Sequence, residues 1–154
     1  MKNLPVVELY TDGACSQNGT WVGGYGAILL YNGHKKEISG YKENTTNNQM
    51  ELRAVIEGLK ALKTKVRITI YTDSAYVYNA FTQGWIASWQ ANGWRNSQKK
   101  EVSNKEMWLE LINECSKHEV IWQKVKGHSN NEYNNACDRL ATNEIKKFEE
   151  QKKG

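Results

Sequence analysis

The sequence has few of the residues that interrupt or cross-link a chain. Its 154 residues include one proline, Pro5, and three widely spaced cysteines, Cys15, Cys115 and Cys137. An odd number of distant cysteines argues against a disulfide framework, and none has a zinc-ligating partner two residues away. We therefore expect ordinary buried or half-buried thiols.

Long apolar runs are also missing. No stretch approaches the roughly 20 residues that cross a bilayer, and the chain enters a strand-like pattern soon after Met1, which leaves no room for a secretory signal. We expect a cytoplasmic protein with no membrane partner. The formal net charge of +4 permits a polyanionic partner without requiring one.

The hydrophobic pattern is typical of a mixed α/β protein. It predicts strands over 6–12, 24–31, 35–41, 66–73 and 120–125. Asn32-Gly33 predicts a tight hairpin between the second and third strands. Apolar spacings of three and four residues predict helices over 74–81, 103–117 and 134–149, and another after the polar residues 44–48. With no repeat or long linker, we predict one α/β domain over 1–154, its helices packed on the faces of one sheet.

Four acidic residues occupy positions that favour a shared site. Asp12 and Asp73 each close a predicted strand, and parallel strands bring their carboxyl ends to one sheet edge. Glu51 shares a helical row with apolar residues, and Asp138 lies inside the last predicted helix. Ordinary alternatives are a glutamate near a helix dipole, two turn formers or helix caps, and a solvated helix residue.

A pocket holding four carboxylates would require cations. Two unit charges about 4 Å apart repel by on the order of 4 kcal/mol at an effective dielectric near 20. Oxygen ligands without histidine or cysteine favour Mg²⁺ or Mn²⁺ over Zn²⁺. Such clusters support two-metal hydrolysis, in which one ion activates the attacking water and the other stabilises the leaving oxygen.

Four ordered segments resemble the type 1 ribonuclease H family over roughly residues 6–144. They are YTDGAC at 10–15 with GGYGA at 23–27, TTNNQMEL at 45–52, TDS at 72–74, and VKGH at 125–128 followed by Asn134 and Asp138. The resemblance implies a ribonuclease H-like fold, with a five-stranded mixed sheet of order 3-2-1-4-5, an antiparallel second strand and helices on both faces. It implies a monomeric endonuclease that cuts the RNA strand of RNA–DNA hybrids, leaving 5′-phosphate and 3′-hydroxyl ends.

The same resemblance assigns catalytic roles. It implies that Asp12, Glu51, Asp73 and Asp138 hold two Mg²⁺ ions in the substrate complex, with Mn²⁺ as an alternative ion. Asp12 is expected to bridge both ions. Asp138 is expected to complete the coordination of the ion near the nucleophile, and Glu51 with Asp73 that of the ion near the leaving group. His128 corresponds to a loop histidine that moves protons or helps product leave, chemistry that imidazole can perform near neutral pH; otherwise it is a solvated loop residue.

The resemblance also implies which residues contact the hybrid, where only RNA offers a 2′-hydroxyl. The expected contacts are Asn18, Asn47 and Gln49 in the minor groove, the backbone of Gly13, Ala14 and Cys15 at 2′-hydroxyls, and Thr46 at a DNA phosphate. Two departures concern this surface: Trp21 lies in a turn that is usually rich in proline and glycine, and Ala75 replaces a frequent glutamine. We expect changed groove contacts and one missing base or sugar contact.

Residues 84–104 are rich in tryptophan, lysine, asparagine and glycine. They resemble a basic protrusion with which some family members grip the hybrid. The expected binding residues are Trp85, Trp89, Trp94, Arg95, Lys99 and Lys100, with Lys105 just beyond. The alternatives are a packed helix face for the tryptophans spaced four apart and a solvated cationic loop.

Three other functional interpretations remain. An integrase, resolvase or proofreading exonuclease of this fold would use a different order of carboxylates. A non-catalytic hybrid-binding module would lack a metal carboxylate, and none is missing. A segment of a larger polymerase is the third, but the charged tail at 149–153 favours a free-standing protein.

Overall fold

The computed structural model describes residues 4–16, 21–126 and 131–153. The strands are β1 (Val6–Cys15), β2 (Gly23–Tyr31), β3 (His34–Lys42), β4 (Arg67–Thr72) and β5 (Glu119–Lys124). The helices are α1 (Asn47–Lys60), α2 (Ala75–Thr82), α3 (Trp85–Ala91), α4 (Lys105–Cys115) and α5 (Glu132–Lys153). Within these ranges, no helix has both the length and the apolar character that a membrane crossing requires.

The five strands form one mixed sheet in the order β3-β2-β1-β4-β5. β2 is antiparallel to both neighbours, whereas β1 with β4 and β4 with β5 are parallel. The β2–β3 turn places Asn32 and Gly33 at φ values of 48° and 78°, the left-handed pair that a two-residue hairpin of this kind requires. The predicted fold class, strand order and hairpin are confirmed.

Helices cover both faces of the sheet. Alternate residues of β1 point to opposite faces, so the strand contacts helices on both. Leu9 packs in the larger core with α1, α2 and α4, where Trp108 is fully buried. Tyr10 packs on the other face with Ile28 and Cys137 of α5. Alternation places Asp12 on the same face as Tyr10.

The end of β1 differs from the sequence prediction in a way that affects the site. β1 continues to Cys15, so Asp12 lies inside the strand and not at its end. Parallel pairing with β4 stops at Tyr10–Tyr71, but antiparallel pairing with β2 continues, with Asp12 opposite Gly26. Hydrogen bonding to β2 alone therefore continues β1 through the site.

The segment 84–104, between α2 and α4, has regular structure of its own. It contains the short helix α3, and an isolated bridge between Arg95 and Glu101 closes its loop.

Candidate active site and nucleic-acid interface

Three of the four predicted carboxylates form a tight group. One oxygen from each of Asp12, Glu51 and Asp73 lies within 4.8 Å of the others. β1 supplies the first, α1 the second, and the residue immediately after β4 the third. Asp12 and Asp73 each follow the stacked Tyr10–Tyr71 ring pair by two residues, so the parallel register of the strands brings them side by side.

Asp138 faces the same cavity without joining the tight group. The cavity has a volume of about 530 Å³, and Asp138 lines it together with the other three carboxylates. Its negative charge contributes to raising the pKa of Asp12. The structure therefore gathers all four residues around one opening, three close together and one contributed by α5.

Glu51 is held in place by close packing of α1 on β1 at Gly13. The Gly13 N–H donates to Glu51 Oε1 at 2.6 Å and to Asp12 Oδ1 at 2.9 Å. A Cβ at Gly13 would lie 2.5 Å from the backbone nitrogen of Glu51, so only glycine allows this approach. Thr46 caps α1 by accepting a hydrogen bond from the N–H of Gln49, which fixes where the helix begins.

Asp73 lies in a short turn that local hydrogen bonds define. The Ser74 N–H donates to Thr72 Oγ1 at 3.1 Å, and Ser74 Oγ in turn accepts from the N–H of Val77 to cap α2. These bonds end β4 at Thr72 and start α2 at Ala75, which leaves Asp73 at the sheet edge.

α5 brings Asp138 to the cavity by packing closely on β2. A Cβ at Gly26 would lie 2.5 Å from the carbonyl oxygen of Cys137, so glycine is needed for the contact. Asn131 Oδ1 accepts a hydrogen bond from the N–H of Asn134 at 2.8 Å and thereby caps the helix.

Burial and neighbouring negative charges make Asp12 and Glu51 weak acids. Burial, followed by the charges of Asp73 and Asp138, raises the pKa of Asp12 to about 7. Burial and the charges of Asp12 and Asp73 raise the pKa of Glu51 well above its usual range. The group favours protons or a cation over bare negative charge.

Two buried oxygens at the cavity need donors. Among the described residues, Glu51 Oε2 and Asn134 Oδ1 are the buried side-chain polar atoms without a hydrogen-bond partner. Both residues line the cavity. Carboxylate and amide oxygens suit Mg²⁺, which prefers oxygen ligands and retains several waters, so the donor set fits this ion.

Sequence reasoning did not select Asn134 as a site residue. In the sequence, Asn134 stands only as part of the motif before Asp138. Asparagine is common near the start of a helix, so the residue type alone did not indicate a site. The available signal was its spacing: Asn134 precedes Asp138 by four residues and so shares its helix row.

The predicted groove residues lie at or near the cavity rim. The cavity is lined by Gly13, Ala14, Cys15 and Asn47. Thr46 caps α1, the helix that begins at Asn47. Asn18 and His128 lie outside the described residues.

Gln49 takes part in an internal network. Its side chain accepts from Thr45 Oγ1 at 2.8 Å and donates to Asn104 Oδ1 at 3.0 Å. Asn104 donates to the hydroxyl of Tyr76, which lines the cavity. These bonds connect the cavity rim to the end of the 84–104 segment.

The tryptophans of that segment divide into packed and exposed. Trp89 packs against the core, its ring centroid 5.3 Å from that of Trp108, and Trp94 lies 5.8 Å from Trp89. Trp85 remains 38% exposed. The packed-face interpretation, made for Trp85 and Trp89, therefore holds for Trp89 and not for Trp85, which is available for contact; Trp94 packs as well.

The cations of the segment point to solvent. Arg95, Lys99 and Lys100 are exposed, and the Arg95 guanidinium donates to the carbonyl oxygen of Lys99 at 3.0 Å. Lys105 is half-buried and pairs with Glu101 at 3.9 Å.

The two departures noted in the sequence also lie near the site. Trp21 is 62% exposed at φ 54°, and its carbonyl oxygen accepts from the N–H of Thr45, next to the α1 cap. Ala75 lines the cavity, with no polar side chain to offer there.

Comparisons with known proteins agree with this architecture. The family model RNase H matches residues 5–146. The ribonuclease H of Thermoanaerobacter sp. (strain X514) is 59% identical over 145 residues, which cover 94% of this chain and 93% of that protein.

Solved structures show the same fold. LC9-RNase H1, a type 1 RNase H with the type 2 active-site motif, aligns with a TM-score of 0.82 and 29% identity over 93% of this chain and 73% of the other. LC11-RNase H1 in complex with RNA/DNA hybrid aligns with a TM-score of 0.70 and 20% identity over 92% and 98%. The second similarity concerns the fold alone.

Proposed function

The chain belongs to the ribonuclease H family, and from this premise we propose that it hydrolyses the RNA strand of RNA–DNA hybrids as a Mg²⁺-dependent endonuclease. The observation that carries the proposal is the gathering of four carboxylates around one cavity. The proposed products are a 5′-phosphate on the downstream RNA and a 3′-hydroxyl on the upstream RNA. A hybrid as substrate is supported by LC11-RNase H1, a protein of the same fold in complex with RNA/DNA hybrid.

Asp12, Glu51, Asp73 and Asp138 are the proposed ligands of two Mg²⁺ ions, with Mn²⁺ as an alternative. When bound, the ions supply activation of the attacking water and charge stabilisation of the leaving oxygen. Asp12 is the proposed shared ligand, because its carboxyl interacts electrostatically with both Asp73 and Asp138.

The Gly13 amide orients the acidic group. By donating to both Asp12 and Glu51 it holds two carboxylates in one arrangement before any ion arrives. Such preorganisation reduces the rearrangement needed on binding. His128 is proposed to move a proton or assist product release, as its imidazole can at neutral pH.

The cavity rim is the proposed hybrid-binding surface. Gly13, Ala14, Cys15 and Asn47, which line the cavity, would approach the scissile strand, and Thr46, the cap of α1, would hold a phosphate of the DNA strand. Gln49 would act at the groove through its network with Asn104. Asn18 is the remaining proposed groove contact.

The segment 84–104 is proposed to extend this surface. Trp85 and the exposed Arg95, Lys99 and Lys100 would contact the backbone of the duplex, where lysine and arginine neutralise phosphates. Trp89 and Trp94 would support it by packing beneath.

We also propose that the protein is a single-domain, cytoplasmic monomer. One sheet contains all five described strands, and the sequence offers no membrane segment or disulfide framework. Light scattering with size-exclusion chromatography would test the oligomeric state, with a mass near 17.7 kDa expected.

Cleavage of a hybrid with a labelled RNA strand tests the function. We expect internal cuts in Mg²⁺, none in excess chelator, and none in a DNA duplex of the same sequence. Asp12→Asn provides the inactive control. Phosphatase sensitivity of the downstream fragment would identify its 5′-phosphate. Cleavage that persists in excess chelator would contradict the proposal.

A further inference from the structure

Asn134 lines the acidic cavity and has a buried side-chain oxygen with no hydrogen-bond partner among the described residues. It is the third residue of α5, and its exposed fraction is only 3%. Its backbone N–H is already bonded to Asn131 Oδ1, but its side-chain Oδ1 has no hydrogen-bond partner among the described residues. The residue lines the cavity one helical turn before Asp138.

A buried carbonyl oxygen without a donor is unfavourable and rare in folded proteins, so each case calls for an explanation. In the described ranges the one other such atom is Glu51 Oε2, which belongs to the same cavity. Both atoms are acceptors. A hydrogen-bond donor carried by whatever fills the cavity would satisfy each of them.

A hydrated divalent cation supplies donors of this kind. Mg²⁺ gives up its waters reluctantly, and the waters that it retains donate hydrogen bonds to acceptors around the site. A neutral amide oxygen can accept such a bond without adding charge to a cavity that already contains four carboxylates. Asn134 shares the helix row of Asp138, so its acceptor lies on the same side of the cavity as that ligand.

We propose that Asn134 is a positioning residue whose Oδ1 accepts a hydrogen bond from a water carried by the cation at Asp138. This inference deepens the proposed function and rests on it. Through that bond, Asn134 orients the hydrated ion and strengthens its binding, although Asn134 is not itself a ligand of the ion.

Asn134→Leu tests the proposal because it removes the acceptor while keeping a similar volume. We expect the variant to bind Mn²⁺, measured by calorimetry in the absence of nucleic acid, about tenfold more weakly, the lower end of the usual effect of residues that support metal ligands. Its melting temperature in chelator should be unchanged or higher, because a buried unpaired oxygen has been removed. A purely structural asparagine would give the reverse result: a lower melting temperature with unchanged Mn²⁺ affinity.

Asn134→Asp keeps an acceptor oxygen and should retain or increase Mn²⁺ affinity, because it also adds a negative charge that attracts the cation. Asn134→Ala removes the oxygen without adding apolar bulk and serves if the leucine variant does not fold. Asn143→Leu makes the same chemical change at an exposed position of α5 and should leave Mn²⁺ binding unaltered.

The outcomes separate the two proposals. Equal Mn²⁺ affinity in the parent and in Asn134→Leu or Asn134→Ala would overturn the role of Asn134 alone. Failure of the parent protein to bind Mn²⁺ or Mg²⁺ at all would overturn the metal-dependent function as well.

Discussion

The backbone N–H of Gly13 donates a hydrogen bond to Oε1 of Glu51 across 2.6 Å, and it also contacts the carboxylate of Asp12. The bond links β1 to α1 at a point where the backbones of strand and helix come close together. The acidic group therefore depends on a residue that has no functional side chain.

Gly13→Ala should disturb both the fold and the site. Its Cβ would lie 2.5 Å from backbone atoms of α1, so the helix must shift and Glu51 must move with it. We expect destabilisation of about 1–3 kcal/mol, as for other overpacked positions, and weaker Mg²⁺ binding. Urea unfolding and calorimetry would measure the two effects.

Gly40→Ala is the matched control for that substitution. Its Cβ would meet the ring and hydroxyl of Tyr25, a side chain that can move. A smaller loss of stability with unchanged Mg²⁺ affinity is expected. Equal effects of the two variants would mean that the approach of α1 to Gly13 is not special.

Asp12→Asn should abolish cleavage and stabilise the metal-free protein. The substitution removes one charge from a buried group in which Asp73 and Asp138 both repel Asp12. A gain of 1 kcal/mol corresponds to about 2–4 °C in a chain of this size. Calorimetry in chelator measures the change, and a clearly lower melting temperature for the variant would refute the repulsion argument.

The stability of the metal-free protein should fall as pH rises from about 4 to about 7. The pKa of Asp12 is raised from its ordinary 3.8 to about 7 in the folded state, so the folded protein binds this proton more tightly than the unfolded chain. The resulting stabilisation is complete below the unfolded pKa and disappears as pH passes the folded pKa. Urea unfolding in chelator at a series of pH values measures this slope.

In Asp12→Asn the same slope should be smaller, because one of the titrating groups is gone. Saturating Mg²⁺ should also reduce it, since the ion replaces the protons. A parent protein whose metal-free stability rises through this range would contradict the assignment of a raised pKa.

Substituting Lys99 and Lys100 with alanine should weaken hybrid binding and flatten its salt dependence. Both side chains are exposed on the 84–104 segment, where they could each neutralise one phosphate. Loss of two contacts would reduce the slope of log K against log salt by up to about two. Binding titrations at several salt concentrations measure it, with little change expected in the rate at saturating hybrid.

The control variant has alanine at Lys35 and Lys36. It removes the same amount of charge from β3, next to the β2–β3 hairpin. These substitutions should leave the slope close to that of the parent. If the Lys99 and Lys100 variant also keeps the parent slope, those lysines belong to a solvated loop.

The fold was predictable because its signals are local. Alternating apolar residues defined the strands, spacings of three and four defined the helices, and Asn32-Gly33 defined the hairpin. The end of β1 was not predictable, since pairing with β2 carries the strand past Asp12 to Cys15. A strand end depends on its partner as much as on its own residues.

The four carboxylates of the candidate site were predictable as a set, whereas their arrangement and the presence of Asn134 beside them were not. The sequence by itself determined which four acidic residues stand out: Asp12 and Asp73 close predicted strands, Glu51 shares an apolar helix row, and Asp138 completes the family motif. Only the tertiary structure decided that three of them form a tight group while Asp138 faces them from α5. It also decided that Asn134 lacks a hydrogen-bond partner, because burial and hydrogen bonding depend on residues distant along the chain.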